Sequence, residues 1–304
     1  MGCKSCSCIS VPSNLQSEDL DIIEIQDNST YRHDCSSEGK LEIHSEYPGS
    51  DFLTLPNPVQ WAEDKLPPYQ FENPVNNCTP TAFPDGQYQG QLDAAGKKHG
   101  EGTFLWTTGA KYSGHWAHDE PVGHGRLITV NGAVYEGEWK VGQAHGTGKC
   151  IAANGCIYQG DWVADQQDGY GLEVWPDKSY YSGQFRAGKK HGVGQFKWSD
   201  GCAFKGELSQ GFLAGTGKFT WTDGRVYEGE WALNNMHGQG TFTWPDGTTY
   251  TGAYVQGRKE GYGEMRLPTG HVLKGHWLDD RLHGDYYEYE DCDNGLLFTR
   301  RAAS

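Results

Sequence analysis

Tyr135-Glu136-Gly137-Glu138-Trp139-Lys140-Val141-Gly142-Gln143-Ala144-His145-Gly146-Thr147-Gly148 is the stretch from which the fold can be read. Its first five residues alternate ring, glycine and ring with two glutamates. Tyr135, Gly137 and Trp139 therefore share one face of a β-strand and the carboxylates share the other. A glycine-rich turn ending in His-Gly-x-Gly follows, and a second strand runs on from it. The stretch reads as a β-hairpin with one aromatic and one solvated face.

The same opening recurs at Tyr88, Tyr112, Tyr135, Tyr158, Tyr181, Phe204, Tyr227, Tyr250 and Leu273, with a first interval of 24 residues and seven further intervals of 23. Second strands such as Phe196-Lys-Trp198 and Phe242-Thr-Trp244 repeat as well, and an Asp-Gly step often closes the unit. A fixed short period of this kind is the mark of a repeat architecture. The predicted fold is all-β: an elongated single-layer antiparallel meander of consecutive β-hairpins. Eighteen strands at about 4.8 Å spacing would extend on the order of 85 Å. Glycine between two rings lacks a β-carbon, so a ring from the neighbouring strand can lie across the backbone there. A β-propeller with 46-residue blades is the rival suggested by a doubled period, but near-identical 23-residue hairpins and the lack of a Trp-Asp signature speak against it.

Composition agrees. The chain has 304 residues, 43 Gly, 11 Trp and 17 Tyr, with only 36% hydrophobic residues, too few aliphatics for a Rossmann or TIM-barrel core. Mean hydropathy is -0.72. There is no apolar run of transmembrane length and no signal-peptide pattern, so a soluble protein is expected. Nine Cys without His-backed Cys-x-x-Cys pairs predict a reducing compartment and no zinc module. The net charge of -15, with residues 1–87 holding 4 Lys/Arg against 14 Asp/Glu, disfavours duplex nucleic acid as a partner.

The pattern Tyr-x-Gly-x-Trp followed by His-Gly-x-Gly resembles the MORN (membrane occupation and recognition nexus) repeat family. The resemblance covers residues 80–299, with a half-repeat cap at Phe83-Pro-Asp-Gly86, eight full repeats, and a degenerate ninth with a C-terminal cap. It implies a non-enzymatic scaffold set at membranes, the cortical cytoskeleton or cilia. Two alternatives go with it: a module binding phosphoinositides or other acidic lipids, like the MORN region of phosphatidylinositol phosphate kinases, and a structural axonemal component like MORN-containing radial spoke heads.

Ahead of the array, residues 1–50 form an acidic, Ser-rich head expected to be largely disordered. Residues 51–79 are a lead-in rich in Pro and aromatics that could pack on the sheet. The first eight residues, Met1-Gly2-Cys3-Lys4-Ser5-Cys6-Ser7-Cys8, resemble an N-myristoylation signal. Gly2 would carry the myristoyl amide and Cys3, Cys6 or Cys8 a palmitoyl group, although Cys6 stands where Ser or Thr is usual. One myristoyl chain holds a protein at a membrane only marginally, and no polybasic stretch follows, so the cysteines are the second anchor. The expected location is the cytoplasmic side of a membrane, either the plasma membrane or the cell cortex or cilium.

No catalytic motif is present, and neither a cofactor nor a metal ion is expected. Lys97, Lys98, Lys189, Lys190, Arg258 and Lys259 gather at hairpin turns and are candidate contacts for acidic lipid. The aromatic face, carrying Trp116, Trp139, Trp162, Trp198, Trp221, Trp231, Trp244 and Trp277, is the candidate surface for a protein partner or a second copy of the chain. His99, His145, His191, His237 and His283 mark the odd repeats alone. A turn hydrogen-bonding role is expected for them, because residues two hairpins apart lie too far from one another to share a metal.

Overall fold

The structure, a computed structural model, describes residues 78–292 and 295–303, with side chains to residue 289. The acylation-like signal, the acidic head and residues 51–77 of the lead-in lie outside the described residues. What is described is β-strand joined by short turns, in two compact units divided after Gly188.

The first unit holds β1 (Thr81–Phe83), β2 (Gly86–Leu92), β3 (Lys98–Trp106), β4 (Lys111–Ala117), β5 (Glu120–Ile128), β6 (Val134–Lys140), β7 (Gln143–Ile151), β8 (Ile157–Val163), β9 (Gln166–Val174) and β10 (Tyr180–Arg186). The second holds β11 (Lys189–Lys197), β12 (Ala203–Ser209), β13 (Phe212–Thr220), β14 (Val226–Ala232), β15 (Asn235–Thr243), β16 (Thr249–Val255), β17 (Arg258–Arg266), β18 (His271–Leu278), β19 (Arg281–Cys292) and β20 (Gly295–Ala303). Within each unit every strand pairs antiparallel with its neighbour in sequence, as β6 does with β5 and β7. Pairing runs on past every fourth strand, so the propeller rival is not the fold. The final pair, β19 with β20, carries the sheet to Ala303, past the expected end at 299.

Two kinds of turn alternate. The strand bearing Tyr-x-Gly-x-Trp leads into a two-residue loop with both residues left-handed, as at Val141 (φ 50) and Gly142 (φ 74), or Ala164 (φ 48) and Asp165 (φ 65). This is the type I′ geometry that suits the twist of a hairpin. At the opposite sheet edge five-residue turns close on an Asx bond. Asp200 and Asp246 accept the amides of Cys202 at 2.8 Å and Thr248 at 2.9 Å.

His-Gly-x-Gly is not the turn that the spacing suggests. His145 to Gly148 lie inside β7, beyond the two-residue turn. Gly137 faces Gly148 while Trp139 faces Ala144, so His145, Gly146 and Thr147 bulge opposite Glu138 alone. Gly146 takes the left-handed residue of the bulge (φ 61), and Glu138 accepts the amide and hydroxyl of Thr147 at 3.0 and 2.8 Å. These bonds, the hydroxyl's first, hold the Glu138 carboxyl below its ordinary range.

The second glycine seats a ring. A β-carbon on Gly148 would meet Cε2 and Cζ of Tyr135 at 2.6 Å. Tyr135 lies flat over the facing pair Gly137 and Gly148, and donates its hydroxyl to the Glu138 carbonyl at 2.9 Å. The ring over Gly137 thus comes from the same strand, and only Gly148 is covered from its neighbour, as the sequence suggests. Trp139 closes the other side, donating Nε1–H to the Gly125 carbonyl of the preceding repeat at 3.0 Å. Successive rings meet edge to face, with Tyr135 to Trp139 at 5.1 Å, Tyr135 to Trp162 at 5.2 Å, Tyr158 to Trp162 at 5.1 Å and Tyr158 to Phe185 at 5.0 Å. A second ladder in the other unit runs through Tyr227, Tyr254, Tyr250 and Trp277. A single layer thereby builds a core from rings laid along it. Replacing Trp139 by Phe should keep the ring contact and lose the bridge to Gly125. The expected loss is about 2–3 kcal/mol, from the unpaired Gly125 carbonyl and the smaller buried ring, read as a lower urea midpoint with unchanged slope.

Candidate functional site

The eight tryptophans assigned to one docking face divide into two rows. Trp116, Trp139, Trp162, Trp231 and Trp277 are buried in the ladders, 2–7% exposed, and cannot present a docking surface. Sequence alternation fixes their face but not the fact that neighbouring rings cover it. Trp198, Trp221 and Trp244 remain, half-buried at the ends of β11, β13 and β15, where the five-residue turns begin.

These three form a ridge with the phenylalanine two residues before each. Phe196 stacks on Trp198 (centroids 5.1 Å, planes 12° apart), and Trp198 meets Phe219 at 5.4 Å. Phe219 meets Trp221 at 4.5 Å, Trp221 meets Phe242 at 5.3 Å, and Phe242 meets Trp244 at 4.4 Å. The Arg225 guanidinium lies 5.5 Å from the Trp221 ring, and Arg225 is held by Asp223 at 2.6 Å. The second unit therefore presents one continuous, partly open aromatic ridge. In the first unit the repeat equivalents include Thr129 and Ala152, so no such row forms there.

The basic candidates all sit at the edge of the two-residue turns, with differing roles. Lys98 points inward, its Nζ 4.7 Å from the Phe83 and Phe104 ring centroids, 5.3 Å from Trp116 and 3.5 Å from Asp119. Lys259 does likewise over Trp244, Tyr250 and Trp277, with Asp280 at 3.7 Å. These two charges are engaged by rings and carboxylates rather than offered to a lipid headgroup. The ladder's rings at the sheet edge draw them in, a contact that the clustering of lysines in sequence does not reveal. Arg258 is paired with Asp279 at 2.6 Å, and Lys190 Nζ lies 5.9 Å from the Phe196 centroid. Lys97 and Lys189 are exposed.

His99 and His145 lie at bulges in their strands, and His191, His237 and His283 also lie within strands rather than in the turns. One of them has company that the sequence reading passed over: Asp93, His99 and His118 converge, with one ligand-type atom of each within 4.8 Å of the others. The signal in the sequence is the single 24-residue interval, whose extra residue falls in the Asp93–Lys97 turn.

No curated protein matches the chain. Among solved structures it is similar to a mutant TCP10 domain of Danio rerio CPAP, at 14% identity over 65% of this chain and 93% of that one, TM-score 0.38. It is similar to the G-box domain of the microcephaly protein CPAP at 13% identity over 67% and 100%, TM-score 0.35. It is also similar to the TCP10c domain of Drosophila melanogaster Sas-4 at 12% over 60% and 98%, TM-score 0.31. The MORN repeat model matches eight consecutive segments, 88–111, 112–134, 135–157, 158–180, 181–203, 204–224, 227–249 and 250–272. These segments make up more than half of the chain, which therefore belongs to the MORN repeat family and is a repeat scaffold or binding module of a generally non-catalytic kind.

Proposed function

We propose that the protein is a membrane-anchored, non-enzymatic adaptor that docks a protein partner, or a second copy of itself, on the aromatic ridge of its second unit. The ridge from Phe196 to Trp244 is the observation that carries the docking half of this reading. Large rings that remain partly open to water hold apolar area whose covering by a partner is favourable. Anchoring rests on the sequence of the first eight residues, with acyl chains on Gly2 and on Cys3, Cys6 or Cys8 setting location.

Membrane flotation of the full chain from a eukaryotic lysate tests the anchor. Wild type should float, while Gly2→Ala and the combined Cys3, Cys6 and Cys8 to Ser variant should stay in the soluble fraction. Equal flotation of Gly2→Ala would sink the lipid anchor. Changing Trp198, Trp221 and Trp244 together to Ser should leave flotation intact. The same change should abolish self-association or the retention of co-floating protein. If both persist, the ridge is not the dock.

A further inference from the structure

We propose that Asp93, His99 and His118 form a binding site for a divalent transition-metal ion of the zinc type, on the turn edge of the first unit. Three local features bring the donors together. The first hairpin has the one lengthened turn of the array, Asp93 to Lys97, in place of a two-residue loop. The amides of Ala95 and Lys97 bond Asp93 Oδ1 at 2.8 and 3.0 Å, which fixes the carboxylate and leaves Oδ2 to face the histidines. His118 is the first residue of the next two-residue turn, and its Nδ1 lies 3.2 Å from that Oδ2. His99 stands at the bulge of β3, its ring centroid 5.6 Å from that of His118.

The separations suit coordination. In a tetrahedral site with zinc–ligand bonds of about 2.0–2.1 Å, donor atoms stand about 3.3 Å apart. The Asp93–His118 edge is already at that spacing. No two of the three donor atoms lie more than 4.8 Å apart, so the widest gap has at most about 1.5 Å to close. Rotation about the side-chain bonds of His99 and His118 supplies this, since both are exposed, His118 with 72% of its side chain open. Two imidazoles and one carboxylate match zinc, nickel or copper, whereas calcium and magnesium require more oxygen donors. The bonds from Ala95 and Lys97 play the orienting part that outer-sphere groups play for metal-bound carboxylates.

His99 stands at the position that His145, His191, His237 and His283 fill in the other odd repeats, and what sets the first repeat apart is that Asp93 and His118 are brought beside it. In the repeats that follow, the residues nineteen positions after His145, His191 and His237 are Ala164, Gln210 and Gln256. Among the described residues the cluster at Asp93 is the one group of three such donors.

Cobalt(II) titration of the full chain at pH 7.5 distinguishes this site from the nine cysteines. The expected result is about one equivalent bound, with the visible bands of a nitrogen and oxygen site, without the near-ultraviolet thiolate band, and displaced by stoichiometric zinc. His99→Val and His118→Ala should each weaken binding at least tenfold. Both are compatible with the fold, because Val122 stands at the repeat equivalent of His99 and Ala164 and Ala187 take the left-handed conformation required at 118. Asp93→Asn keeps an acceptor for the turn amides and should weaken binding as well. The proposal is overturned if excess cobalt gives no visible bands, if the bands are those of thiolate ligation, or if the His99→Val and His118→Ala proteins bind as wild type does.

Discussion

Alanine at Gly148 should destabilise the first unit by about 3–5 kcal/mol, far more than alanine at Gly132, expected to cost about 1 kcal/mol. Both are single methyl additions to glycine, and the contrast sets the ring seat at Gly148 against backbone strain alone at Gly132. At Gly132 the backbone is left-handed (φ 84) and nothing lies within 4 Å of the added carbon, which leaves only conformational strain. At Gly148 the carbon would enter the Tyr135 ring, 2.6 Å from Cε2 and Cζ. The ring has no free direction of retreat, with Trp139 at 5.1 Å on one side and Trp162 at 5.2 Å on the other. It must leave the ladder, which forfeits the burial of a large aromatic residue and the hydroxyl bond to the Glu138 carbonyl. Urea unfolding of the two variants, followed by tryptophan fluorescence, decides the matter. Equal losses would mean that the ring does not need the glycine.

That asymmetry between glycines marks how far the sequence could be read. Alternation in Tyr135-Glu-Gly-Glu-Trp139 reports strand and face with little ambiguity, because a side-chain period of two has no helical counterpart. The interval of 23 then dictates the meander. Period, however, gives only the face on which a ring lies. Whether Trp139 stands out toward solvent or lies along the sheet depends on Gly125 and Gly148, which belong to other strands. The sequence therefore groups Trp139 with Trp221, whereas the fold buries one and leaves the other partly open. The two glycines of His145-Gly-Thr-Gly148 are likewise alike in sequence. One takes a left-handed bulge and the other seats a ring, a distinction set by the register in which Gly137 meets Gly148. Lys98 reads as a turn charge, and only the placement of Phe83, Phe104 and Trp116 shows that it is drawn over the rings. The Asp93, His99 and His118 group escaped for a similar reason, since it joins two successive turns and its one trace in the sequence is an interval longer by a single residue.

Raising the pH above about 10 should unfold the array, and the tyrosine ladder should be the cause. Burial, the largest effect in each case, raises the hydroxyls of Tyr88, Tyr135, Tyr158 and Tyr181 in the first unit and of Tyr227, Tyr250 and Tyr254 in the second, Tyr250 to about 12. An unfolded tyrosine loses its proton near pH 10, whereas the folded one keeps it. Below that pH both states hold the proton and stability does not depend on it. Above it the unfolded chain binds fewer protons than the folded one, so stability falls as pH rises, by about 1.4 kcal/mol per pH unit for each such tyrosine until the folded group also ionises. Several tyrosines acting on one unit produce a steep transition between about pH 10 and 12. Tyr158→Phe separates the ladder from other alkaline effects. At neutral pH it should lose about 1 kcal/mol with the hydroxyl bond to the Asp161 carbonyl at 3.0 Å. It also removes one tyrosine from the alkaline slope, so its stability curve should cross that of wild type about one pH unit above the onset and lie above it thereafter. Parallel curves from pH 7 to 12 would show that the buried hydroxyls do not govern alkaline unfolding.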